Sequence, residues 1–200
     1  MHRRALIGAG IGGAALSLLP FLSGRAAATA TTAAGTTTTT APPLRPTDAD
    51  VALLGFAQQV EITAAALYDQ ALAKVKWTPE QQVVVATIRQ AHVAYAQRIS
   101  ATLGRQAPNT KSADLFTKLS PSFTGDSTAV LTAAWKLESA AVATHLDVLA
   151  KLQGINGGAL VASILVTEAR HCTILADLAS LSDLPSLLVD TEESSLLGNG

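Results

Sequence analysis

"SILVTEARHCTIL", residues 163–175, places a carboxylate and an imidazole three positions apart in an otherwise apolar run. On a helix, residues three apart share a face, so Glu168 and His171 point the same way. Neither is cheap to bury without a partner. Either this face is wet and the pair is ordinary surface, or the interior calls for an oxygen and a nitrogen donor at one spot. Arg170 and Asp177 show that the helix does have a wet side. Cys172, the chain's single cysteine, reads most simply as a small buried apolar residue, with a soft ligand beside His171 as the alternative.

The stretch lies in the last of four long segments rich in Ala and Leu, with few turn signals inside them. "TDAD" (47–50) supplies capping residues for a first helix over about 49–75. "WTPEQQ" then predicts a turn, with Thr78 as N-cap and Pro79 at the first position of a second helix that stops at Gly104. Residues 105–125 form a long connection with room for one short helical turn. Asp126 opens a third helix ending near Leu152, and a fourth runs from about Ala159 to Leu181 after "QGINGG". Short turns join antiparallel neighbours. The expected fold is therefore all-α, an antiparallel four-helix bundle with one long crossover between helices two and three. Helices of this length, more than 30 Å each at about 1.5 Å per residue, enclose a real core.

What precedes and follows the bundle is of another kind. "MHRRALIGAGIGGAALSLLPFLSGRAAA" (1–28) has a basic start, an apolar run and small residues at its end. It reads as a signal peptide, and Arg3-Arg4 points to the twin-arginine route, with an uncleaved anchor as the alternative. An exported protein, periplasmic, in the cell wall or secreted, is expected, with no stable membrane span after cleavage. "TATTAAGTTTTTAPPLRP" (29–46) reads as a disordered linker reaching the domain at about residue 48, and 182–200 as a loosely ordered tail. A lone cysteine forms no internal disulfide, so the core alone must hold the domain in an oxidising compartment.

Three of the 14 basic residues fall in the leader, which carries no acid; the remainder has 11 against 15 acidic residues. That balance leaves no basic patch for nucleic acid. Neither a Gly-rich phosphate loop nor G-x-S-x-G occurs, so nucleotide chemistry and serine hydrolysis have no support. The protein partner is not legible, and a homodimer is compatible with the chain.

Polar residues recur in the middle of each apolar helix: Glu61, His92, Glu138, and Glu168 with His171. The two halves of the bundle can be laid over one another. "VEITAAALYDQAL" (60–72) matches "LESAAVATHLDVL" (137–149), setting Glu61 on Glu138 and Tyr68 on His145. "IRQAHV" (88–93) matches "TEARHC" (167–172), setting His92 on His171 and Arg89 on Glu168. An antiparallel repeat of this kind brings two Glu and two His toward a common centre, with Glu168 beside them. Trp77 and Trp135 read as packing residues.

These segments, "LLGFAQQVEITAAALYDQAL", the His92 segment, the "APN" after helix two and "SILVTEARH", resemble the bacterial ferritin-like domain proteins. The resemblance is strongest to exported actinobacterial-type members with a twin-arginine leader, and it covers residues 48–181. In that superfamily two helices each give a Glu and two each give Glu-x-x-His, together holding a di-iron or di-manganese pair. Carried over by position, the resemblance implies Glu61 and Glu138 as single carboxylates. It implies Glu168 and His171 as an intact Glu-x-x-His, and His92 as the second histidine. The departure is Arg89, where a Glu is expected: a guanidinium binds no metal and repels one. Five ligand-type residues suit one ion or two, iron or manganese, with zinc as the alternative. Tyr68, Tyr95 and His145 are candidates to complete or cap the site. The competing expectation is a metal-free structural or binding bundle in which Arg89 pairs with Glu61 or Glu168 and neutralises the site. Whether any reaction is catalysed is not legible.

Overall fold

The computed structural model describes residues 41–182, 188–190 and 193–197. The expected signal peptide at 1–28 and the linker as far as residue 40 lie outside them. Five helices follow in order: α1 Asp48–Lys74, α2 Pro79–Leu103, α3 Ala113–Leu119, α4 Ser127–Lys151 and α5 Ile155–Leu178. The four long ones are the expected bundle, and no strand occurs among the described residues. Short turns make close pairs of α1 with α2 and of α4 with α5. The crossover carries α3 between two 3-10 turns, Gly104–Gln106 and Ser120–Phe123.

Local chemistry sets the ends of these helices. The Thr47 hydroxyl accepts from Asp50 N, and the Asp50 carboxylate accepts from Thr47 N, a reciprocal cap. Thr78 and Gln81 do the same for α2, with Pro79 at its start. Gly104 ends α2 at φ +58, a conformation that costs glycine little. The "APN" segment ties the crossover down. Asn109 N donates to Gln58 Oε1 (3.0 Å), while Gln58 Nε2 donates to Asn109 Oδ1 (2.8 Å) and to the Ala96 carbonyl (3.3 Å).

α5 begins at Ile155, four residues before the expected Ala159, because groups distant in sequence supply its cap. Its N-cap, Gly154, has no side chain to accept the first N–H groups. Those of Ile155 and Asn156 donate instead to the carbonyls of Pro43 (2.9 Å) and Leu44 (3.0 Å). Pro43 and Leu44, within the stretch read as a linker, thus meet the start of α5. A Cβ on Gly154 would lie 2.6 Å from the Arg45 carbonyl oxygen, so only glycine fits there. Asp50, fully buried, closes the junction by accepting from Gln153 N (2.8 Å) and Gly154 N (2.9 Å) as well. Burial acts to raise its carboxyl, but the N–H donors of Gln153, Thr47 and Gly154 hold it below the ordinary value. Asp50→Ala removes three charge-assisted hydrogen bonds at once, one of them half of the reciprocal cap. A loss of about 2–4 kcal/mol in urea unfolding is expected; a loss within error would mean the junction contributes nothing.

The described part of the tail lies against the bundle. Trp135 Nε1 donates to the Leu188 carbonyl (3.0 Å), Asp190 N to Ser139 Oγ (3.0 Å) and Leu196 N to Thr144 Oγ1 (2.8 Å). Val189 and Leu196 pack on the core. The hydroxyls and indole that α4 turns outward give an otherwise polar backbone something to bond.

The apolar interior comes in two parts. One holds Leu67, Tyr68, Val85, Ile88, Phe123, Leu131, Trp135 and Leu175. The other holds Leu54, Ile99, Val148, Val161 and Ile164. On α1, α2 and α5, buried polar residues fall in sequence between the residues of the two parts: Glu61, His92, and Glu168 with His171. On α4, Glu138 and His145 lie between Leu137 and Val148. A polar layer thus crosses the bundle between two dry ends. α1 and α5 are each long and apolar enough to cross a bilayer by length and composition, yet both pack into this bundle and carry ionisable groups of the layer.

Candidate metal centre

All four long helices contribute to the layer: α1 gives Glu61, α2 His92, α4 Glu138 and His145 two turns apart, and α5 Glu168 and His171 one turn apart. All five residues singled out for a metal, Glu61, His92, Glu138, Glu168 and His171, are buried together here. His92 bridges two carboxylates, with Nδ1 2.7 Å from Glu61 Oε2 and Nε2 2.8 Å from Glu138 Oε1. Glu138 also accepts from Tyr68 Oη (2.6 Å) and lies 3.0 Å, through Oε2, from His171 Nδ1. Glu168 Oε2 lies 2.7 Å from His145 Nδ1. The Tyr68 ring stacks on His92 at 5.5 Å. Tyr95 meets His92 edge-on at 6.2 Å, flanking the layer rather than entering it.

Burial and neighbouring charges shift the protonation of Glu138, His92, His145 and Glu168 in this layer. Burial favours the acid form of Glu138, but the charges and hydrogen bonds of His92 and His171 overcome it and hold this carboxyl well below the usual range. Burial likewise opposes charge on His92, and Glu138, then Glu61, raise it well above its ordinary value. For His145, burial is outweighed by Glu168 and Glu61, giving about 9. Glu168 goes the other way. Burial, reinforced by the Glu61 and Glu138 charges, lifts it to about 7 against the pull of His145. Burial and Glu138 keep the Tyr68 phenol neutral.

Arg89 does not enter the layer. Its guanidinium forks onto Asp69 at the surface, Nε to Oδ1 at 2.9 Å and Nη2 to Oδ2 at 3.0 Å. This overturns the expected pairing with Glu61 or Glu168: the centre's positive charge comes from its own histidines, and Arg89 finds a carboxylate without losing water. Both partners are partly exposed, so the pair contributes less than about 1 kcal/mol. Cys172 is buried with Sγ 3.6 Å from Ser139 Oγ, and burial pushes its thiol up to about 12. It is a packing residue here.

Two triads bring ligand atoms within 4.8 Å of one another: His92, Glu138 and His171, and Glu61, His92 and Glu168. Buried oxygen and nitrogen donors at that spacing suit a first-row divalent ion. The fit is supported by three buried atoms with no hydrogen-bond partner, Glu61 Oε1, His145 Nε2 and Glu168 Oε1. Unpaired polar atoms in a dry interior are costly, and a cation is one group that satisfies several at once.

The family model described as "Ferritin-like domain" matches residues 49–181. The chain belongs to the ferritin-like family. No curated protein and no solved structure matches it. Within this ferritin-like domain the two halves are unequal. α5 presents both Glu168 and His171 inward. α2 presents only His92, because position 89 has become a surface arginine. His145, which the sequence offers only as a candidate to complete or cap the site, stands outside the five-residue ligand set. Its signal was available: it stands seven residues after Glu138, two helical turns on, and the repeat sets it over Tyr68. Both side chains do reach the layer, Tyr68 bonding Glu138 and His145 bonding Glu168.

Proposed function

We propose that this ferritin-like domain binds iron or manganese, one or two ions, through Glu61, His92, Glu138, Glu168 and His171, in a protein exported by the twin-arginine route. The observation that carries the reading is the buried layer itself, which gathers three carboxylates and three imidazoles and leaves polar atoms unpaired. A structural network alone would gain stability from full pairing. Iron or manganese at this place supplies redox chemistry with oxygen or peroxide, whereas zinc supplies none. The chain's own residues hold and orient: His92 and His171 converge on Glu138, Tyr68 fixes one Glu138 oxygen, and the apolar clusters on either side exclude water. The export half rests on the leader sequence, 1–28.

The test is elemental analysis of the exported protein, purified without chelator, beside a Glu168→Ala/His171→Ala double variant. Iron or manganese near one or two per chain is expected, falling about tenfold or more in the variant. Zinc alone would indicate a non-redox site. No bound metal in either protein, even after reconstitution, would leave a metal-free helical module, with the layer neutralised by its own histidines. Mass spectrometry of the same sample checks the leader: a chain beginning near residue 29 is expected.

A further inference from the structure

The three unpaired atoms of the layer all belong to one side of it. Glu61 Oε1 and His145 Nε2 face each other at 3.2 Å without hydrogen-bond geometry. The same imidazole meets Glu168 Oε2 through Nδ1 at 2.7 Å, and Glu168 Oε1 is the third unpaired atom. The opposite side is saturated, with Tyr68, His92 and His171 all directed at Glu138.

Resting on the metal-binding reading above, we propose that His145 is itself a metal ligand through Nε2, and that the first cation is held on the side of Glu61, His145 and Glu168. The arrangement around His145 is that of a ligating imidazole. A carboxylate on Nδ1–H fixes the tautomer and turns the Nε2 lone pair toward the ion. A neutral imidazole of that tautomer sets its Nε2 lone pair against a Glu61 oxygen 3.2 Å away. Two buried acceptors so placed repel unless a proton or a cation lies between or beside them. On the Glu138 side, by contrast, an entering ion must first displace hydrogen bonds from Tyr68 and His92. The two sides are therefore filled in order.

His145 also accounts for Arg89. The chain lacks a carboxylate at that position and adds a buried imidazole on α4, exchanging an oxygen donor for a nitrogen. That exchange favours iron or zinc over manganese, which prefers an oxygen-rich set.

The full chain, stripped of metal, is titrated with Zn(II), followed by calorimetry and by NMR of protein carrying 15N-labelled histidine. The chain has only 4 histidines, so each imidazole can be followed. At one equivalent, His145 is expected to become the form with a proton on Nδ1 and metal on Nε2. His145→Gln keeps an amide donor near Glu168 but loses the nitrogen, and should weaken the first site about 100-fold, whereas Arg89→Gln should change it less than about threefold. The proposal is overturned if zinc binds while the His145 signals stay unchanged, or if His145→Gln binds the first ion as the native chain does. The NMR result needs no variant, so poor folding of His145→Gln leaves the test intact. A native chain that binds no zinc at any ratio refutes the metal reading itself, and this inference with it, which is a different result from zinc bound without His145.

Discussion

Glu138→Leu is expected to destabilise the metal-free domain by about 3–5 kcal/mol, the typical penalty for leaving buried charges without their partner. Glu138 is fully buried and serves three side chains, Tyr68, His92 and His171. Leucine fills nearly the same volume, so the loss reports electrostatics and hydrogen bonding rather than a cavity. His92 is left with a single carboxylate, Glu61, and His171 and the Tyr68 phenol lose the acceptor they share. The penalty is a large part of a typical domain stability of about 5–15 kcal/mol. Urea unfolding at neutral pH in the presence of chelator measures it. Glu138→Gln, which keeps one acceptor oxygen, should lose less. A loss under about 1 kcal/mol for the leucine variant would mean that water enters the layer and solvates what remains.

The second large effect is on pH. His145 is held at about 9 against an ordinary 6.5, so the folded domain keeps a proton that the unfolded chain releases. The stability this provides is complete below 6.5 and is lost as pH rises toward 9. His92, raised well above 6.5, acts with the same sign. Glu168, lifted to about 7 from an ordinary 4.5, also loses its contribution as pH rises, between those two values. Glu138, held below 4.5, has released its proton in both states above about pH 5.5 and adds no slope there. All three slopes therefore run downward with pH. Each proton kept only by the folded state gives about 1.4 kcal/mol per pH unit. The Tm of the metal-free domain should fall by more than about 5 °C between pH 5.5 and 8.5. With a divalent ion bound the trend should flatten or reverse, since the ion displaces protons and binds more tightly as they leave. A flat profile for the metal-free protein would contradict a dry, protonated layer.

Legibility in the sequence followed the range of the interaction. Thr78-Pro79 and Asp126 announced the starts of α2 and α4, because a cap involves residues three or four apart. The start of α5 was missed. Its first N–H groups are capped by Pro43 and Leu44, more than a hundred residues away, so the glycines of "QGINGG" looked like a turn. The docking of the tail on α4 was hidden for the same reason, since the backbone groups that meet Trp135, Ser139 and Thr144 lie some fifty residues on.

The centre divides along the same line. From the sequence alone came the bundle, its single crossover and the depth at which Glu61, His92, Glu138, Glu168 and His171 sit, because helical period and an internal repeat are one-dimensional patterns. Only the tertiary structure decided who faces whom. Arg89 aligns with Glu168 in the repeat, yet it turns to Asp69 and water, since a buried guanidinium would forgo hydration that this surface carboxylate lets it keep. His145 aligns with a tyrosine, yet it lies between two carboxylates, because the crossing of α4 with α1 and α5 brings Glu61 and Glu168 to its two nitrogens. Which residue lies on which helix, and how deep, is a property of the chain; which atoms end within bonding distance depends on how the helices cross, and that is set by the packing of the two apolar clusters above and below the layer.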